Sequence, residues 1–174
     1  VFATDVRQAS KEQVESLGGK FLSVEGAENL ETKEGYAKET GEDFKLKQKK
    51  LLSDTLKKMD IVICTALIPG KKAPRIINEE MFKGIQAGTI VFDLAVEQGG
   101  NSAYSEIDKI VNKNGIKIIG HKNILNKLPL SATNLYSKNL YNFFFNLYDK
   151  EKKNLNINLK DEIINKTFIQ NKNT

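Results

Sequence analysis

Two positions in the sequence could bind a ligand, although neither belongs to a standard catalytic motif. Asp5 ends a strand-like run, where a carboxylate either caps a turn or helix or accepts hydrogen bonds from the ribose of an adenine nucleotide. Tyr36, with Gly35 before it, is the one aromatic residue in the charged stretch "KEGYAKETGED". A solvated loop has no folding requirement for such a residue, so Tyr36 either packs on its own domain or contacts a ligand when the loop closes.

The usual chemical signatures of enzymes are absent from the sequence. None of the twelve glycines forms a GxGxxG phosphate loop, and no GxSxG nucleophile motif is present. His121 is the only histidine and Cys64 the only cysteine, so we predict no metal site and interpret Cys64 as a buried, inert thiol. Glu97 is either a general acid or base or an exposed loop carboxylate, and Asp93 is expected to cap or orient a loop. We therefore predict no catalytic residue.

Composition is typical of a soluble globular protein. The 174 residues are 40% hydrophobic and 28% charged, and no apolar run is long enough to span a membrane. No signal peptide is predicted, and a lone cysteine suits a reducing compartment. The net charge is +5, but the lysines are scattered among acidic residues without interleaved aromatic residues. This pattern does not favour nucleic acid as a partner.

The hydrophobic pattern alternates between strands and helices, which predicts an α/β fold with a parallel sheet. The predicted strands are "VFATDV", "KFLSVE", "DIVICTAL", "TIVFDLA" and "GIKIIG". We expect the third and fourth to be buried on both faces, because they are continuously apolar. The predicted helices are "SKEQVESLGG", residues 42–59, "NEEMFKGIQ" and residues 131–148. Ser10 with Gln13 forms a capping-box pattern, and Asn78 can cap the third helix.

The helix predicted over residues 131–148 is apolar nearly all round, so it should be sandwiched between two layers. We predict three regions: 1–128 as a partial NAD-binding Rossmann-like domain, 129–150 as a long connecting helix, and 151–174 as a polar tail. The tail contains at most two weak strands, "LNINL" and "TFIQ".

Five ordered motifs resemble the NAD(H)-binding domain of the proton-translocating nicotinamide nucleotide transhydrogenase alpha subunit. They are "ATDVR…KEQVESLGGKF", "GYAKE", "TALIPGKKAP", "VFDLAVEQGGN" and "GIKIIGH", and together they span residues 1 to about 150. Alanine dehydrogenases share the fold and versions of two motifs. The resemblance implies a doubly wound parallel sheet lacking its first strand and glycine loop, an amino-terminally truncated version of the domain.

The resemblance assigns NAD-binding roles to individual residues. Asp5 would hold the ribose, and Val6 and Arg7 would line the adenine pocket. Gly35 and Tyr36 would lie on a mobile loop that folds over the nucleotide. Leu67 would form an apolar wall beside the cofactor.

The resemblance also implies hydride transfer between NAD(H) and NADP(H), coupled to proton translocation. Expected partners are the missing amino-terminal portion or a companion chain, a beta subunit that binds NADP(H), and a second copy of the domain. The chain would be cytoplasmic and peripheral to the inner membrane, and inactive in isolation. Two alternatives stay open: a non-catalytic remnant of the domain, and an alanine dehydrogenase-like enzyme, which Glu97 and the "GYAKE" loop disfavour.

Overall fold

A computed structural model describes residues 1–5, 7–24 and 42–169, apart from the side chains at positions 8, 9, 42, 44 and 45. The chain divides into two compact units, Val1–Lys122 and Asn123–Thr174. The first is a mixed α/β unit whose main sheet contains parallel strands. This confirms the predicted α/β class with a parallel sheet.

The main sheet has four strands in the order β3-β4-β6-β5. Its members are β3 (Ile61–Cys64), β4 (Ile90–Asp93), β5 (Lys109–Lys113) and β6 (Ile116–Gly120). Strands β3, β4 and β6 are mutually parallel, with Cys64 opposite Asp93 in the register, whereas β5 pairs antiparallel with β6. The carboxyl ends of β3 and β4 therefore lie side by side at one edge of the sheet.

Strand β5 was not predicted. It precedes Asn114 and Gly115, both of which have positive φ, 53° and 81°. An Asn-Gly pair with this backbone forms the tight turn that joins two antiparallel strands. The alternation in "KIVNKNGIKIIG" was the signal for this hairpin, and reading residues 109–113 as a loop was wrong.

The buried core lies against one face of this sheet. Helices α2 (Glu42–Leu56) and α3 (Glu79–Phe82) contribute to it. The core cluster comprises Leu56, Cys64, Ile77, Met81, Phe82, Ile85, Val91, Ile116 and Ile118. Fully burying one such aliphatic side chain stabilises a fold by about 1.5–3 kcal/mol.

Strand β3 is not buried on both faces, contrary to the prediction. Ile61 and Ile63 are each 64% exposed, whereas Cys64 is buried. The reason is position, because β3 is an edge strand and no described element packs over Ile61 and Ile63. Strand β4 is more enclosed: Val91 and Asp93 are fully buried, and the two residues that alternate with them are half-buried.

The helices occur where the pattern placed them, with different ends. Helix α1 (Gln8–Ser16) begins before Ser10, and its N-cap Arg7 makes no side-chain capping bond, so the Ser10–Gln13 capping box is wrong. Helix α2 ends at Leu56 and continues only as a turn to Met59. The Asn78 cap of α3 is confirmed, because its side chain accepts a hydrogen bond from the Met81 backbone N–H at 3.0 Å.

A separate parallel pair lies at the start of the chain. It consists of β1 (Phe2–Ala3) and β2 (Lys20–Phe21), and helix α1 forms the crossover between them. Thr4 extends this pairing by donating its hydroxyl to the Leu22 carbonyl at 3.1 Å. Both strands are shorter than the predicted runs "VFATDV" and "KFLSVE".

The second unit contains helix α4 (Pro129–Asn146), the short hairpin β7 (Tyr148–Asp149) with β8 (Asn154–Leu155), and helix α5 (Glu162–Thr167). No side chain of α4 is buried. Of the weak strands predicted for the tail, "LNINL" is strand only at Leu155. The "TFIQ" strand is wrong, because Asp161 caps α5 by accepting from the Ile163 and Ile164 N–H groups, and this helix continues through Thr167.

Candidate functional site

The carboxylate of Asp93 organises the loop that follows β4. It is fully buried and accepts four hydrogen bonds: from the Ala95 N–H at 3.0 Å, the Asn101 N–H at 2.7 Å, the Ser102 N–H at 3.0 Å and the Ser105 hydroxyl at 2.5 Å. A buried carboxylate is tolerated only when its oxygens are satisfied in this way. The prediction that Asp93 orients a loop is confirmed.

Asn101 extends this arrangement to the neighbouring loop. Its side-chain amide donates to the Ala66 and Pro74 carbonyls, both at 2.8 Å, and its side-chain oxygen accepts from the Ala66 N–H at 3.1 Å. Asn101 is itself fully buried. One side chain from the loop after β4 therefore closes both ends of the loop after β3, residues 65–74.

Backbone contacts reinforce the same junction. The Asn101 carbonyl accepts from the Ile76 and Ile77 N–H groups at 2.8 and 2.9 Å. The Arg75 guanidinium donates to the Ser102 carbonyl. We refer to Asp93, Asn101, Ser102 and Ser105 with their backbone partners as the carboxyl-edge network.

Two glycines give the loop after β4 its path. Gly99 and Gly100 have φ of +97° and +76°, a conformation that side chains with a Cβ rarely adopt. A Cβ on Gly100 would lie 2.9 Å from the Asp93 Oδ2 atom and 2.9 Å from the Ser105 Cβ. The predicted backbone role of the glycine pair is therefore seen directly, and Gly100 allows the loop to close over the carboxylate.

Two predicted residues lie on β3 or just beyond it. Leu67 follows Ala66 in the loop and is 47% exposed, so its side chain is available at the sheet edge. Cys64 is buried as predicted. Desolvation, with a smaller contribution from the charge of Asp93, raises the pKa of the Cys64 thiol to about 12, which leaves it unreactive at neutral pH.

Asp5 and Arg7 form a close ion pair after β1. Arg7 donates to the Asp5 carboxylate from its backbone N–H at 2.9 Å, from Nε at 3.2 Å and from Nη2 at 2.7 Å. The hydrogen bonds from Arg7 hold the pKa of the Asp5 carboxyl below its ordinary value. Asp5 is therefore ionised at neutral pH, and its side chain retains 28% exposure.

The structure brings some predicted site residues together and leaves others undescribed. Asp5 contacts Arg7, while Leu67 lies beside a strand of the other sheet. Val6, Gly35 and Tyr36 fall outside the described residues. Their predicted roles stay predictions.

Glu97 and His121 lie near this edge of the sheet. Glu97 is exposed within the 3₁₀ turn Val96–Gln98 that begins the loop after β4. His121 follows β6, and its ring meets the Phe92 ring edge-on with centroids 6.2 Å apart. Across the described ranges 1–5, 7–24 and 42–169, no group of three or more His, Cys, Asp or Glu side chains could hold a metal ion.

Sequence reasoning missed Asn101, Ser102 and Ser105. The available signal was a pair of glycines followed by Asn and Ser after a buried strand that ends in Asp. Hydrogen-bonding side chains beside positive-φ glycines are typical of a loop that is fixed by its own polar groups. A search of the helices in the described part of the chain finds none that is long and apolar enough to cross a membrane.

Comparison with known proteins finds relatives along the whole chain. The family described as alanine dehydrogenase/PNT, C-terminal domain, matches residues 1–174. The first of the proteins that make up the NAD(P) transhydrogenase alpha subunit of Rhodospirillum rubrum is 50% identical over 171 residues, which cover 97% of this chain and 44% of that protein. The Rickettsia prowazekii protein of the same name is 45% identical over 95% of this chain and 42% of its own length.

A solved transhydrogenase structure from Sinorhizobium meliloti is 40% identical, with a TM-score of 0.69, over 95% of this chain and 42% of that one. The chain therefore spans less than half the length of the relatives it matches. The match to the family extends over every residue, including both loops of the carboxyl-edge network. This chain belongs to the alanine dehydrogenase/PNT C-terminal domain family, a family of NAD(H)-binding dehydrogenases.

Proposed function

We propose that the chain provides a portion of the NAD(H) site of a proton-translocating transhydrogenase that moves a hydride between NAD(H) and NADP(H). The observation that carries this proposal is the 50% identity, over 97% of the chain, to a protein named as a transhydrogenase alpha subunit. Such identity along nearly the whole chain includes the loops at the sheet edge, where chemistry is set, as well as the buried core.

The geometry of the sheet edge supports dinucleotide binding. In open α/β sheets, ligands bind in the crevice outside the carboxyl ends of parallel strands. Here the loops after β3 and β4 meet at that edge, and both are held by buried hydrogen bonds rather than by side chains that point outward. Leu67, which is half exposed, would give the crevice an apolar wall against the cofactor.

Asp5 fits the proposed role of ribose ligand, with Arg7 as its support. The carboxylate is ionised and partly exposed, so it can accept a hydrogen bond from a ribose hydroxyl. Arg7 already donates three hydrogen bonds to it, so the ribose would share the carboxylate with the guanidinium. Val6 would line the adenine pocket, and Gly35 with Tyr36 would close over the nucleotide.

The proposed chemistry needs little from the protein beyond positioning. Bound NADH supplies a hydride to NADP⁺, which yields NAD⁺ and NADPH with no proton to be abstracted at the reacting carbons. The residues of this chain would bind the adenosine, orient the dinucleotide at the sheet edge and exclude water. No catalytic acid or base is assigned, and Glu97 is left as a loop carboxylate.

Further components follow from the same proposal. NADP(H) would be bound by a separate beta subunit, and the rest of the nucleotide site would come from an amino-terminal portion or a companion chain. Two copies of the domain would associate. Proton translocation would take place in partner subunits, with this chain on the cytoplasmic side and peripheral to the inner membrane.

Titration of the complete gene product that contains this chain with NADH, followed by nicotinamide fluorescence, tests the binding proposal. We expect saturable binding that is weakened on the order of tenfold by Asp5→Ala, the effect of losing a charge-assisted hydrogen bond. Tyr36→Ala should weaken it as well. The matched control is Asp54→Ala, which removes an exposed carboxylate paired with Lys57 at 2.8 Å and should leave affinity unchanged.

Turnover separates the remaining possibilities. With the beta subunit present, hydride transfer from NADH to an NADP⁺ analogue should depend on both nucleotides. Oxidative deamination of alanine with NAD⁺ would instead identify an amino-acid dehydrogenase. An assembled protein that binds no NADH would overturn the proposal and favour a non-catalytic remnant.

A further inference from the structure

We propose that Asn101, held in place by Asp93, is a positioning residue that sets the affinity for the dinucleotide by fixing the loop of residues 65–74. The inference rests on the proposed NAD(H) site and adds a residue to it. Asn101 is not expected to touch the nucleotide. It acts through the backbone that carries Leu67.

The contacts of Asn101 are those of a latch between two loops. All three of its side-chain hydrogen bonds cross from the loop after β4 to the loop after β3, and they hold both ends of the latter, at Ala66 and at Pro74. No helix or strand intervenes between these two ends, since the chain has neither between residues 65 and 74. The path of this segment therefore depends on Asn101.

Asp93 fixes the latch itself. Its Oδ2 atom accepts from the backbone N–H of Asn101 and from that of Ser102, and the Ser105 hydroxyl donates to the same oxygen. The side chain of Asn101 is thereby presented to the neighbouring loop from a backbone with little freedom. Fixing a loop before the ligand arrives reduces the ordering cost of binding.

Affinity should respond because Leu67 lies one residue beyond the latch. Ala66 is gripped at both its N–H and its carbonyl. When the latch is removed, residues 65–74 sample more conformations, and the apparent dissociation constant rises in inverse proportion to the population that can bind. If the competent arrangement falls to about a tenth, the dissociation constant rises about tenfold.

The same two strands offer a matched control at their opposite ends. Thr89, which precedes β4, is buried, and its hydroxyl donates to the Met59 carbonyl ahead of β3 at 3.0 Å. Thr89→Ala therefore also removes a buried hydrogen bond between the segments that flank β3 and β4. It does so at the amino edge of the sheet, away from the proposed crevice.

The test compares Asn101→Ala with Thr89→Ala in the complete gene product. Three quantities are measured: thermal stability, NADH affinity by fluorescence titration, and hydrogen exchange of the Ala66 amide. We expect both variants to lose thermal stability. Only Asn101→Ala should raise the dissociation constant about tenfold and accelerate exchange at Ala66.

A milder variant covers the case in which Asn101→Ala does not fold. Ser105→Ala removes one of the four hydrogen bonds to Asp93 and leaves Asn101 in the chain. It should shift affinity and exchange in the same direction by a smaller factor. Equal effects of Asn101→Ala and Thr89→Ala on affinity, or unchanged exchange at Ala66, would overturn the inference. Failure of the unsubstituted protein to bind NADH would overturn the proposed function instead, and this inference with it.

Discussion

Replacing Gly100 by alanine is a direct test of how tightly the loop after β4 closes over Asp93. Gly100 has φ of +76°, and a Cβ placed on it would lie 2.9 Å from the Asp93 Oδ2 atom. Contacts this short are essentially never seen for a Cβ, and the second atom at 2.9 Å is the Ser105 Cβ, on the other side of the same junction. The backbone or the carboxylate must therefore move.

The expected cost has two components. Holding a residue with a Cβ in the left-handed region costs about 1–2 kcal/mol. Displacing Asp93 weakens its hydrogen bonds to Asn101, Ser102 and Ser105, and one hydrogen bond to a charged group contributes about 1.5–3 kcal/mol. The free energy of unfolding should therefore fall by about 3–5 kcal/mol if the equivalent of one such bond is lost.

Gly70→Ala isolates the conformational component. Gly70 has φ of +70°, close to that of Gly100, but no atom lies within 4 Å of an added Cβ. Its substitution should cost only the conformational term of about 1–2 kcal/mol. Equilibrium urea denaturation of both variants measures the difference. Equal losses would show that the loop relaxes freely around Asp93, and the tight closure inferred from the structure would be refuted.

Three further predictions concern single groups. Since Arg7 holds the pKa of Asp5 below its ordinary value of 3.8, the ion pair stabilises the fold fully above that pH and its contribution disappears as pH falls through the lowered pKa. The stability difference between the unsubstituted protein and Asp5→Asn, from denaturation at several pH values, should accordingly shrink in acid; a constant difference would contradict the pairing. Cys64, with its pKa raised to about 12, should resist alkylation in the folded protein at neutral pH and react on unfolding, as measured by mass spectrometry. Asn78→Ala should lower stability by about 1 kcal/mol through loss of the α3 cap, whereas Asn78→Asp should retain most of it in thermal denaturation; equal losses would show that the cap is not what matters.

Much of the fold could be predicted because the pattern is local. Strands β3, β4 and β6 are continuous apolar runs, and Asn78 stands where a helix cap is required, so period and capping chemistry were sufficient. The hairpin formed by β5 and β6 was also encoded, in Asn114 and Gly115, but the five residues of β5 are polar at three positions and the strand is weak by apolar content alone. The capping box at Ser10 failed because the helix begins two residues earlier, beside the Asp5–Arg7 pair.

The sequence by itself determined the alternation of strands and helices, the burial of Cys64, and the placing of a carboxylate where β4 ends. Only the tertiary structure decided that Asn101 reaches across to residues 66 and 74, that Arg7 occupies the carboxylate of Asp5, and that Ile61 and Ile63 are exposed. The physical reason is range. A strand or cap is set by neighbours a few residues away, whereas a hydrogen bond between residues 35 positions apart exists only after parallel pairing has aligned the carboxyl ends of two strands.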